Sequence, residues 1–498
     1  MNVTMLLDMA ADGFGDRVVT GRREDGLSAA RLREQSFGGA RLVREAGADA
    51  VVYLAANGPA FPAALFAAAR AGVPLVPVNY RLGKDQLVRL LARHPRGIAI
   101  AEAEHRAVLE AVGLPTRTPG EWLELAGGTQ APEPEPEPDA VESESPAVII
   151  YTSGTTSAPK GVVLRHQHLV SYVVGTVEFA GADAHEAALM SVPPYHIAAV
   201  SNALTNLFAG RRVMVLESFT PEGWLELVRA QRVTSAMVVP TMLARIMYGA
   251  GLDRSVPSLR SLAYGGAKMP QRVIETALRE WPHVDFVNAY GLTETSSTIA
   301  VLGPQEHREA IASEDPEVRA RLASAGKPIP GVDIEIRDGH AIVAAGTSGK
   351  IWVSGEQVSG EYLGGGTAVD DGGFFYTRDQ GYVDSDGYLF IEGRVDDTII
   401  RGAENIAPAE IEDVLLRHPD VIDAVVVGVP DEEWGQRIEA VVVARDGAEL
   451  DVAALREQVR GVLRGAKTPD RIVCWPELPR NATGKLVRRD IVAGLAAT

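Results

Sequence analysis

The apolar positions of residues 51–80 form short runs separated by turn residues. The segment reads VVYLAANGPAFPAALFAAARAGVPLVPVNY, so an apolar strand, an Ala-rich helix and a Val-rich strand follow one another. This order is typical of a βαβ unit, in which a helix joins two parallel strands. Strand and helix patterns continue to alternate to about residue 300. The pattern predicts an α/β fold with a large N-terminal domain of parallel-rich, layered sheets.

An acidic, Pro-rich run interrupts this alternation. The run APEPEPEPDAVESESP (131–146) has low complexity and is predicted to be an extended, solvated linker. The buried-strand pattern AVIIY follows it directly. We therefore expect the linker to leave a domain and return to it.

The pattern changes again after Tyr376. YTRDQGYVDSDGYLFIEGR alternates polar and apolar residues around Asp386-Gly387, a dipeptide suited to a tight hairpin turn. Beyond it, a helix is predicted to open at Ala407-Pro408, followed by the strands VIDAVVVGV and RIEAVVVA and a helix near 451–464. We predict two domains, 1–395 and 396–498, the second a small α+β domain.

Composition agrees with this division and excludes several classes of protein. A chain of 498 residues exceeds what one hydrophobic core normally supports. The net charge of −18 disfavours nonspecific binding to nucleic acid or anionic membranes, although small anions can still bind locally. No apolar run has the length of a membrane span and the N-terminus lacks a basic start, so a cytoplasmic location is expected. The single cysteine, Cys474, excludes an intrachain disulfide framework and is expected to be buried in the strand-like RIVCW.

The strongest chemical signal is YTSGTTSAPKG (151–161). A predicted strand leads into a loop of Gly, Ser and Thr, which ends at Lys160. Backbone N–H groups and hydroxyls in such a loop can bind phosphate oxygens, and a lysine adds a compact positive charge. The loop differs from the common P-loop because Gly161, not Ser or Thr, follows the lysine. A flexible surface turn is the alternative.

A second cluster is DFVNAYGLTETSS (285–297). Thr293 and Glu294 lie near the carboxyl end of an apolar strand, the edge at which open α/β sheets bind ligands. The Glu294 carboxylate suits magnesium and the Thr293 hydroxyl suits a phosphate. The alternative is an ordinary helix N-cap at Thr293 or Thr295.

Three charged residues complete the candidate chemistry. Asp379 and Arg394 flank the predicted hairpin and could bind a ribose, although either one alone is typical of a surface charge. Lys485, in PRNATGKLVRRD, follows a Gly-containing loop near the C-terminus and could reach a distant site.

Together these segments resemble the adenylate-forming superfamily, which contains acyl- and aryl-CoA synthetases, firefly luciferases and the adenylation domains of peptide synthetases. The resemblance spans nearly the whole chain. It is carried, in the family's order, by YTSGTTSAPKG, YGGA (264–267), YGLTET (290–295), YTRDQG (376–381), GRVDDTIIRGAENIAPAEIE (393–412) and PRNATGK (479–485). The segment 393–412 is most similar to bacterial acyl- and aryl-CoA ligases. The resemblance implies that the chain uses ATP to convert a carboxylic acid to acyl-AMP and transfers the acyl group to coenzyme A, releasing AMP and pyrophosphate.

The resemblance also assigns residues to the nucleotide. The loop 152–160 would bind the ATP phosphates, and residues in and next to the YGGA and YGLTET motifs would bind the adenine. Asp379 and Arg394 would bind the ribose. The residues concerned are Thr152, Ser153, Gly154, Thr155, Thr156, Lys160, Gly265, Gly266, Ala267, Asn288, Ala289, Tyr290, Gly291, Asp379 and Arg394.

Three residues would serve the reaction itself. The resemblance implies that Lys485 bridges the substrate carboxylate and the α-phosphate, that Thr293 contacts the α-phosphate, and that Glu294 binds Mg²⁺. Lysine and magnesium would offset the repulsion between two negative reactants. His196 corresponds to a residue beside the acyl pocket, with a satisfied core histidine as the alternative.

The second half-reaction would use another face of the small domain. Asp396 falls at the family's hinge, about which a mobile C-terminal domain rotates to bring Gly402 and Ala403 to the thiol path. Trp434 is a candidate contact for coenzyme A, with packing at a domain edge as the alternative.

Two positions depart from the family pattern. Ser157 and Ala403 replace glycines that many relatives have, so either half-reaction could be impaired. A stand-alone adenylating enzyme that loads a carrier protein and a non-catalytic binding protein therefore stay open as alternatives. The resemblance also allows a homodimer, and the pattern does not identify the acid.

Overall fold

The computed structural model describes residues 1–128, 143–152, 159–401, 404–431, 434–445, 447–463, 465–481 and 486–496. The linker prediction falls mainly on 131–142, which lies outside these ranges. The α-helices are α1 Val3–Phe14, α2 Ala29–Glu45, α3 Ala60–Ala71, α4 Lys84–Leu91, α5 Arg106–Ala111, α6 Pro119–Gly127, α7 His166–Thr176, α8 Ile197–Ala209, α9 Pro221–Ala230, α10 Pro240–Tyr248, α11 Gln271–Glu280, α12 Pro304–Ala312, α13 Pro316–Ala320, α14 Pro408–Leu415, α15 Val452–Leu463 and α16 Arg488–Ala496.

The strands are β1 Val18–Thr20, β2 Leu27–Ser28, β3 Val51–Leu54, β4 Leu75–Pro77, β5 Ile98–Ala101, β6 Thr116–Arg117, β7 Pro146–Thr152, β8 Lys160–Arg165, β9 Ala187–Met190, β10 Arg212–Val215, β11 Ser235–Val238, β12 Ser261–Gly265, β13 Asp285–Leu292, β14 Ser297–Leu302, β15 Lys327–Pro328, β16 Val332–Asp338, β17 Ala341–Ile342, β18 Gly349–Gly355, β19 Glu361–Tyr362, β20 Gly366–Thr367, β21 Phe375–Val383, β22 Leu389–Arg394, β23 Ile399–Arg401, β24 Glu404–Ile406, β25 Val421–Asp431, β26 Gly435–Ala444 and β27 Arg471–Cys474.

Three sheets form the part of the chain before residue 395. A nine-stranded sheet has the order β15-β14-β13-β12-β11-β9-β10-β1-β2, and an eight-stranded sheet has the order β20-β19-β8-β7-β4-β3-β5-β6. Their inner strands pair in parallel, whereas antiparallel strands lie toward the edges. A third, five-stranded sheet is antiparallel, with the order β17-β16-β18-β21-β22. The prediction of an α/β fold with parallel-rich, layered sheets is confirmed.

The predicted βαβ unit is present as β3, α3 and β4. Val51 and Leu75 are parallel partners, and α3 packs in the core of the eight-stranded sheet. Small residues let the helices approach closely: a Cβ on Gly39 of α2 would lie 2.6 Å from the Cβ of Ala67 on α3. The Ala-rich composition of α3 therefore serves tight helix packing.

The predicted hairpin joins β21 and β22. Gly387 in its turn has φ +85°, a conformation that favours glycine. The Asp384 carboxylate accepts hydrogen bonds from the backbone N–H groups of Asp386 and Tyr388, at 2.9 and 2.8 Å. The turn is therefore closed by its own residues, as the Asp-Gly dipeptide predicts.

The C-terminal part contains the predicted α+β elements. The sheet β25-β26-β27 has α14 and α15 against one face and α16 against the other. The division at residues 395 and 396 stays a prediction, and a 3₁₀ turn, Val395–Asp397, lies there. The prediction that Cys474 is buried is wrong: it is the last residue of an edge strand and its side chain is exposed.

No helix among the described residues is long and apolar enough to cross a membrane.

Candidate functional site

The predicted phosphate loop connects β7 to β8, which pair as an antiparallel hairpin. Thr152 and Lys160 are cross-strand partners at the two ends of the loop, and Tyr151 faces Gly161 one step further along. Lys160 is exposed at the end of the hairpin. The central loop residues Ser153, Gly154, Thr155, Thr156 and Ser157 lie outside the described residues.

The stem of this hairpin is braced by the turn that follows α4. The Arg93 guanidinium donates a hydrogen bond of 2.9 Å to the Pro159 carbonyl, at the exit of the loop. The His94 Nε2 atom lies 2.8 Å from the Tyr151 hydroxyl, at its entrance. Burial lowers the pKa of His94, which keeps the imidazole neutral at neutral pH. Both strands of the hairpin are thus held from one side. Arg93 and His94, which hold them, lie outside the sequence motifs.

The predicted adenine segments lie side by side because β12 and β13 pair in parallel. Gly265 is the partner of Ala289, and a Cβ at position 265 would lie 2.3 Å from the Ala289 carbonyl oxygen. Gly266 continues the turn with φ +81°, so both positions require glycine. The Asn288 side chain donates a hydrogen bond of 2.8 Å to the Ser324 carbonyl, which fixes the amide. The segment Gly265, Gly266 and Ala267 therefore lies beside the segment Asn288, Ala289 and Tyr290.

Tyr290 begins a polar network around the buried Asp379. Its hydroxyl donates a hydrogen bond of 2.5 Å to Asp379, and the Arg394 Nε atom lies 2.8 Å from the other carboxylate oxygen of Asp379. Asp379 and Arg394 are cross-strand partners in β21 and β22. Asp379 is only 5% exposed, so the alternative that it is a surface charge is wrong.

The pKa directions follow from this arrangement. Burial and the neighbouring Asp379 carboxylate raise the pKa of Tyr290 well above its usual value. Burial opposes the charge on Arg394, but the neighbouring groups Asp379, Tyr290, Glu294 and Asp397 together outweigh it and raise the pKa of the guanidinium. Arg394 therefore stays a cation beside Asp379, and Tyr290 stays a hydrogen-bond donor.

Thr293 and Glu294 lie in a 3₁₀ turn, Thr293–Thr295, between β13 and β14. The alternative of an α-helix N-cap is therefore wrong. The turn is tight: a Cβ at Gly291 would lie 1.8 Å from the Ser297 carbonyl oxygen, and Ser296 has φ +57°. The Thr295 hydroxyl, 3.0 Å from the Leu292 N–H, closes it.

A tyrosine outside the predicted set contacts both ends of the candidate phosphate site. The Tyr362 hydroxyl donates a hydrogen bond of 2.9 Å to Glu294 Oε1. The Lys160 ammonium lies 5.4 Å from the centre of the Tyr362 ring. Burial and the Glu294 carboxylate raise the pKa of Tyr362 above its usual value. Glu294 is partly exposed, and magnesium commonly takes one or two protein carboxylates together with substrate phosphates, so this carboxylate fits the metal.

His196 immediately precedes α8. Its ring packs on Tyr195 with 4.8 Å between ring centres, and Tyr195 packs on Tyr80 at 5.4 Å. His196 is partly exposed, which does not match a fully buried core histidine. A hydrogen bond of 3.2 Å between Ser201 of α8 and Ser297 of β14 ties this helix to the strand that follows Glu294.

Asp396, the predicted hinge, lies in the 3₁₀ turn after β22. Its carboxylate is 3.7 Å from the Arg378 guanidinium, and both side chains are half exposed. The next residue, Asp397, is 3.1 Å from Arg488 of α16, which also binds Glu412 at 2.9 Å. The beginning of α16 is thus fixed beside the predicted hinge. Lys485 itself lies outside the described residues.

The predicted thiol path is only partly described. Gly402 and Ala403 lie outside the described residues. Trp434 is 45% exposed, and the Arg401 guanidinium lies 5.3 Å from the centre of its ring. The ring therefore offers an open surface on the C-terminal part.

Besides the Arg378–Asp396 pair, further polar contacts and a ring contact join the C-terminal part to the larger one. Lys268 Nζ is 2.5 Å from the Asp413 carboxylate. Arg272 donates a hydrogen bond of 2.8 Å to the Pro419 carbonyl. The Arg445 guanidinium lies 5.8 Å from the centre of the Tyr248 ring. Lys268 directly follows the Gly265–Ala267 segment, so this interface begins beside the candidate adenine site.

Comparison with known proteins agrees with this geometry. A family model described as AMP-binding enzyme matches residues 7–363, and one described as AMP-binding enzyme C-terminal domain matches residues 410–485. The chain is 32% identical over 486 residues to the fatty acid–[acyl-carrier-protein] ligase ScoC of Streptomyces coeruleorubidus, covering 93% of this chain and 91% of that protein. It is 32% identical over 464 residues to an indoleacetate–CoA ligase of Aromatoleum aromaticum, covering 90% and 88%.

A solved structure is similar over nearly the full length. It is the o-succinylbenzoate CoA synthetase MenE of Bacillus subtilis in complex with the acyl-adenylate intermediate OSB-AMP. The TM-score is 0.84 at 28% identity, with 98% of this chain and 97% of that chain covered. The chain therefore belongs to the AMP-binding enzyme family, in the acyl- and aryl-CoA synthetase branch of the adenylate-forming superfamily.

Proposed function

We propose that the chain uses ATP to activate a carboxylic acid as acyl-AMP and then transfers the acyl group to coenzyme A, releasing AMP and pyrophosphate. One observation supports this most directly: two short series of contacts start from the segment between Tyr290 and Glu294. One runs from Glu294 through Tyr362 to Lys160, and the other runs from Tyr290, in the preceding strand, to Asp379 and Arg394. A nucleotide needs binding groups for its phosphates and for its ribose, and the two series offer a candidate for each, near the carboxyl end of β13.

In the first half-reaction, a carboxylate oxygen attacks the α-phosphorus and the bond to pyrophosphate breaks. Lys160 and the loop from Thr152 bind the outer phosphates, Thr293 contacts the α-phosphate, and Lys485 bridges it to the attacking carboxylate. Glu294, together with the ATP phosphates, would hold Mg²⁺, which would supply positive charge that offsets the charge of the phosphate oxygens. The acid therefore reacts only when the charges of its carboxylate and of the ATP phosphates are both offset within one site.

In the second half-reaction, the thiol sulfur attacks the acyl carbonyl. The thiol gives up its proton, and the bond between the acyl carbon and AMP breaks. We propose that residues 396–498 rotate about Asp396 between the two steps, exchanging Lys485 for Gly402 and Ala403. The exposed ring of Trp434 is then available to the coenzyme A nucleotide.

The proposed requirement for ATP, Mg²⁺ and an acid is tested by measuring product formation. The purified chain is incubated with ATP, Mg²⁺, coenzyme A and a panel of acids that includes aryl acids such as indoleacetate and long-chain fatty acids. Pyrophosphate release that depends on the acid, together with acyl-CoA detected by mass spectrometry, is the expected result. Acid-independent ATP turnover, or no pyrophosphate with any acid, would contradict the proposal.

The role of Lys485 gives a sharper test within the same assay. Lys485→Ala should abolish pyrophosphate release from free acid, because the lysine serves the first step alone, and should spare thioester formation from supplied acyl-AMP. Arg489→Ala is the matched control, since Arg489 is a nearby, exposed basic residue. Equal loss of both half-reactions in Lys485→Ala would refute this division of labour.

A carrier protein is the second candidate acceptor, because the ScoC relative is named as an acyl-carrier-protein ligase. Coenzyme A and a phosphopantetheinylated carrier should be compared at equal thiol concentration, and we expect faster acyl transfer to coenzyme A. A cytoplasmic location and a homodimer stay predictions, which cell fractionation and light scattering test.

A further inference from the structure

Tyr362 belongs to a short strand that is paired with the phosphate hairpin. In β19 it is the antiparallel partner of Val162 in β8, and the Leu363 N–H donates a hydrogen bond of 2.8 Å to the Gly161 carbonyl. The neighbouring Glu361 forms a two-point ion pair with Arg165 at the other end of β8, at 2.8 and 2.9 Å. The backbone of Tyr362 is therefore fixed relative to Lys160.

The same segment is also fixed to Glu294. The Ser359 and Gly360 N–H groups donate hydrogen bonds of 2.9 and 3.3 Å to the Glu294 carbonyl. The Tyr362 hydroxyl binds the Glu294 carboxylate at 2.9 Å. Glu294 is thus held at its backbone and at its side chain by one segment of the eight-stranded sheet.

The two contacts of the Tyr362 side chain have different chemistry. The hydroxyl occupies Oε1 of Glu294, which orients the carboxylate and leaves Oε2 for another ligand. The ring face lies 5.4 Å from the Lys160 ammonium, within the range of a cation–π attraction. Removing the hydroxyl should therefore affect the carboxylate, whereas removing the ring should affect both groups.

We propose that Tyr362 is a positioning residue that sets the metal-binding carboxylate of Glu294 and the phosphate-binding ammonium of Lys160 at a fixed separation. The inference builds on the proposed function, because it needs Mg²⁺ and the ATP phosphates at these two groups. The Tyr362 side chain contacts Glu294 and Lys160, so we expect it to act through these two partners.

Two variants separate the contacts. Tyr362→Phe keeps the ring and loses the hydroxyl, and Tyr362→Leu loses both. Tyr382→Phe is the matched control, since Tyr382 lies in the β21–β22 hairpin and its ring stacks on Phe390. Thermal unfolding of each variant identifies any general loss of folding.

The measurement is metal affinity rather than turnover. Mn²⁺ replaces Mg²⁺, and its binding to the enzyme with a non-hydrolysable ATP analogue is followed by electron paramagnetic resonance. Tyr362→Phe should raise the dissociation constant of Mn²⁺ by about tenfold, the usual size of such an outer-shell loss. Binding of the same analogue in EDTA should be unchanged in Tyr362→Phe and weaker in Tyr362→Leu. High Mg²⁺ should restore the kcat of Tyr362→Phe for pyrophosphate release.

The outcomes distinguish this inference from the proposed function. Wild-type Mn²⁺ affinity in Tyr362→Phe, or equal weakening of analogue binding with and without metal, would overturn the role of the hydroxyl while acid-dependent pyrophosphate release stands. Unchanged analogue binding in Tyr362→Leu would overturn the role of the ring. A wild-type chain that binds no nucleotide analogue would overturn both the inference and the proposed function.

Discussion

The buried Asp379 carboxylate accepts a hydrogen bond from the Tyr290 hydroxyl and forms an ion pair with the Arg394 guanidinium. Removing the carboxylate would weaken the polar contacts of both side chains. Ribose binding by Asp379 and Arg394 stays a proposal, but their contacts predict a contribution to the free energy of unfolding.

Asp379→Ala should lower the free energy of unfolding by about 2 kcal/mol, because it removes a buried carboxylate that binds both the Tyr290 hydroxyl and the Arg394 guanidinium. Asp386→Ala is the control in the same hairpin, since the Asp386 side chain is 59% exposed and its pairing with Arg321 should contribute about 1 kcal/mol at most. Urea denaturation of the nucleotide-free protein measures both. A smaller loss in Asp379→Ala than in the control would contradict the network.

The phosphate hairpin depends on elements as well as on its own residues. The turn after α4 holds the Tyr151 hydroxyl through His94 and the Pro159 carbonyl through Arg93. Because these contacts lie where the loop begins and ends, they restrict the spacing of its arms before a nucleotide arrives. A loop held in this way loses less entropy on binding.

His94→Phe should raise the KM for ATP about fivefold to tenfold, since one buried hydrogen bond at the loop stem is lost. Thioester formation from supplied acyl-AMP should be unchanged, because that step does not use the outer phosphates. Tyr151→Phe should behave alike, and the double variant should be no worse than either single variant. Arg96→Ala, an exposed residue in the same turn, is the control. Additive effects would show that His94 and Tyr151 act separately.

The elements were predictable where local patterns decide the structure. The run from Val51 to Pro77 and the Asp386-Gly387 turn form as predicted, because strand burial and turn chemistry are encoded within a few residues. Cys474 was predicted wrongly because exposure at the end of an edge strand depends on its neighbours in space.

The residues of the site could be predicted from the sequence where they lie together in short, unbroken sequence motifs. The partners Gly265 and Ala289 were found from such motifs. Tyr362 was not, because its hydroxyl contacts a carboxylate 68 residues away and its strand pairs with β8 across the fold. No pattern of nearby residues marks that pairing, and the same holds for His94, which lies 57 residues from Tyr151.

At the scale of the whole molecule, a small polar interface connects the larger part of the chain to the C-terminal part. Lys268 and Asp413 form an ion pair, and Arg272 binds the Pro419 carbonyl. Both charged side chains of the pair are partly exposed, at 39% and 41%, so the pair is worth about 1 kcal/mol at most. An interface of this kind can be released during each catalytic cycle.

Reversing one charge of this pair should change the ratio of the two half-reaction rates by up to about fivefold, because the contact belongs to one orientation of the C-terminal part. Lys268→Glu and Asp413→Lys should shift the ratio in the same direction, and the combined variant should restore it. Pyrophosphate release and acyl transfer from supplied acyl-AMP are measured separately. Unchanged ratios in both single variants would show that the pair has no part in the rotation.

The segment from Tyr290 to Glu294 is also where three independently hydrogen-bonded sheets touch. Tyr290 extends from the nine-stranded sheet to Asp379 of the five-stranded sheet, and Glu294 reaches Tyr362 of the eight-stranded sheet. Each sheet could unfold locally without breaking the backbone hydrogen bonds of the other two. These side chains therefore help to couple the three sheets, so that they unfold together. A nucleotide bound here would contact groups from all three sheets at once. Amide hydrogen exchange should therefore slow together along β8, β13 and β21 when Mg²⁺ and an ATP analogue bind, and slowing confined to the phosphate hairpin would show that the sheets open independently.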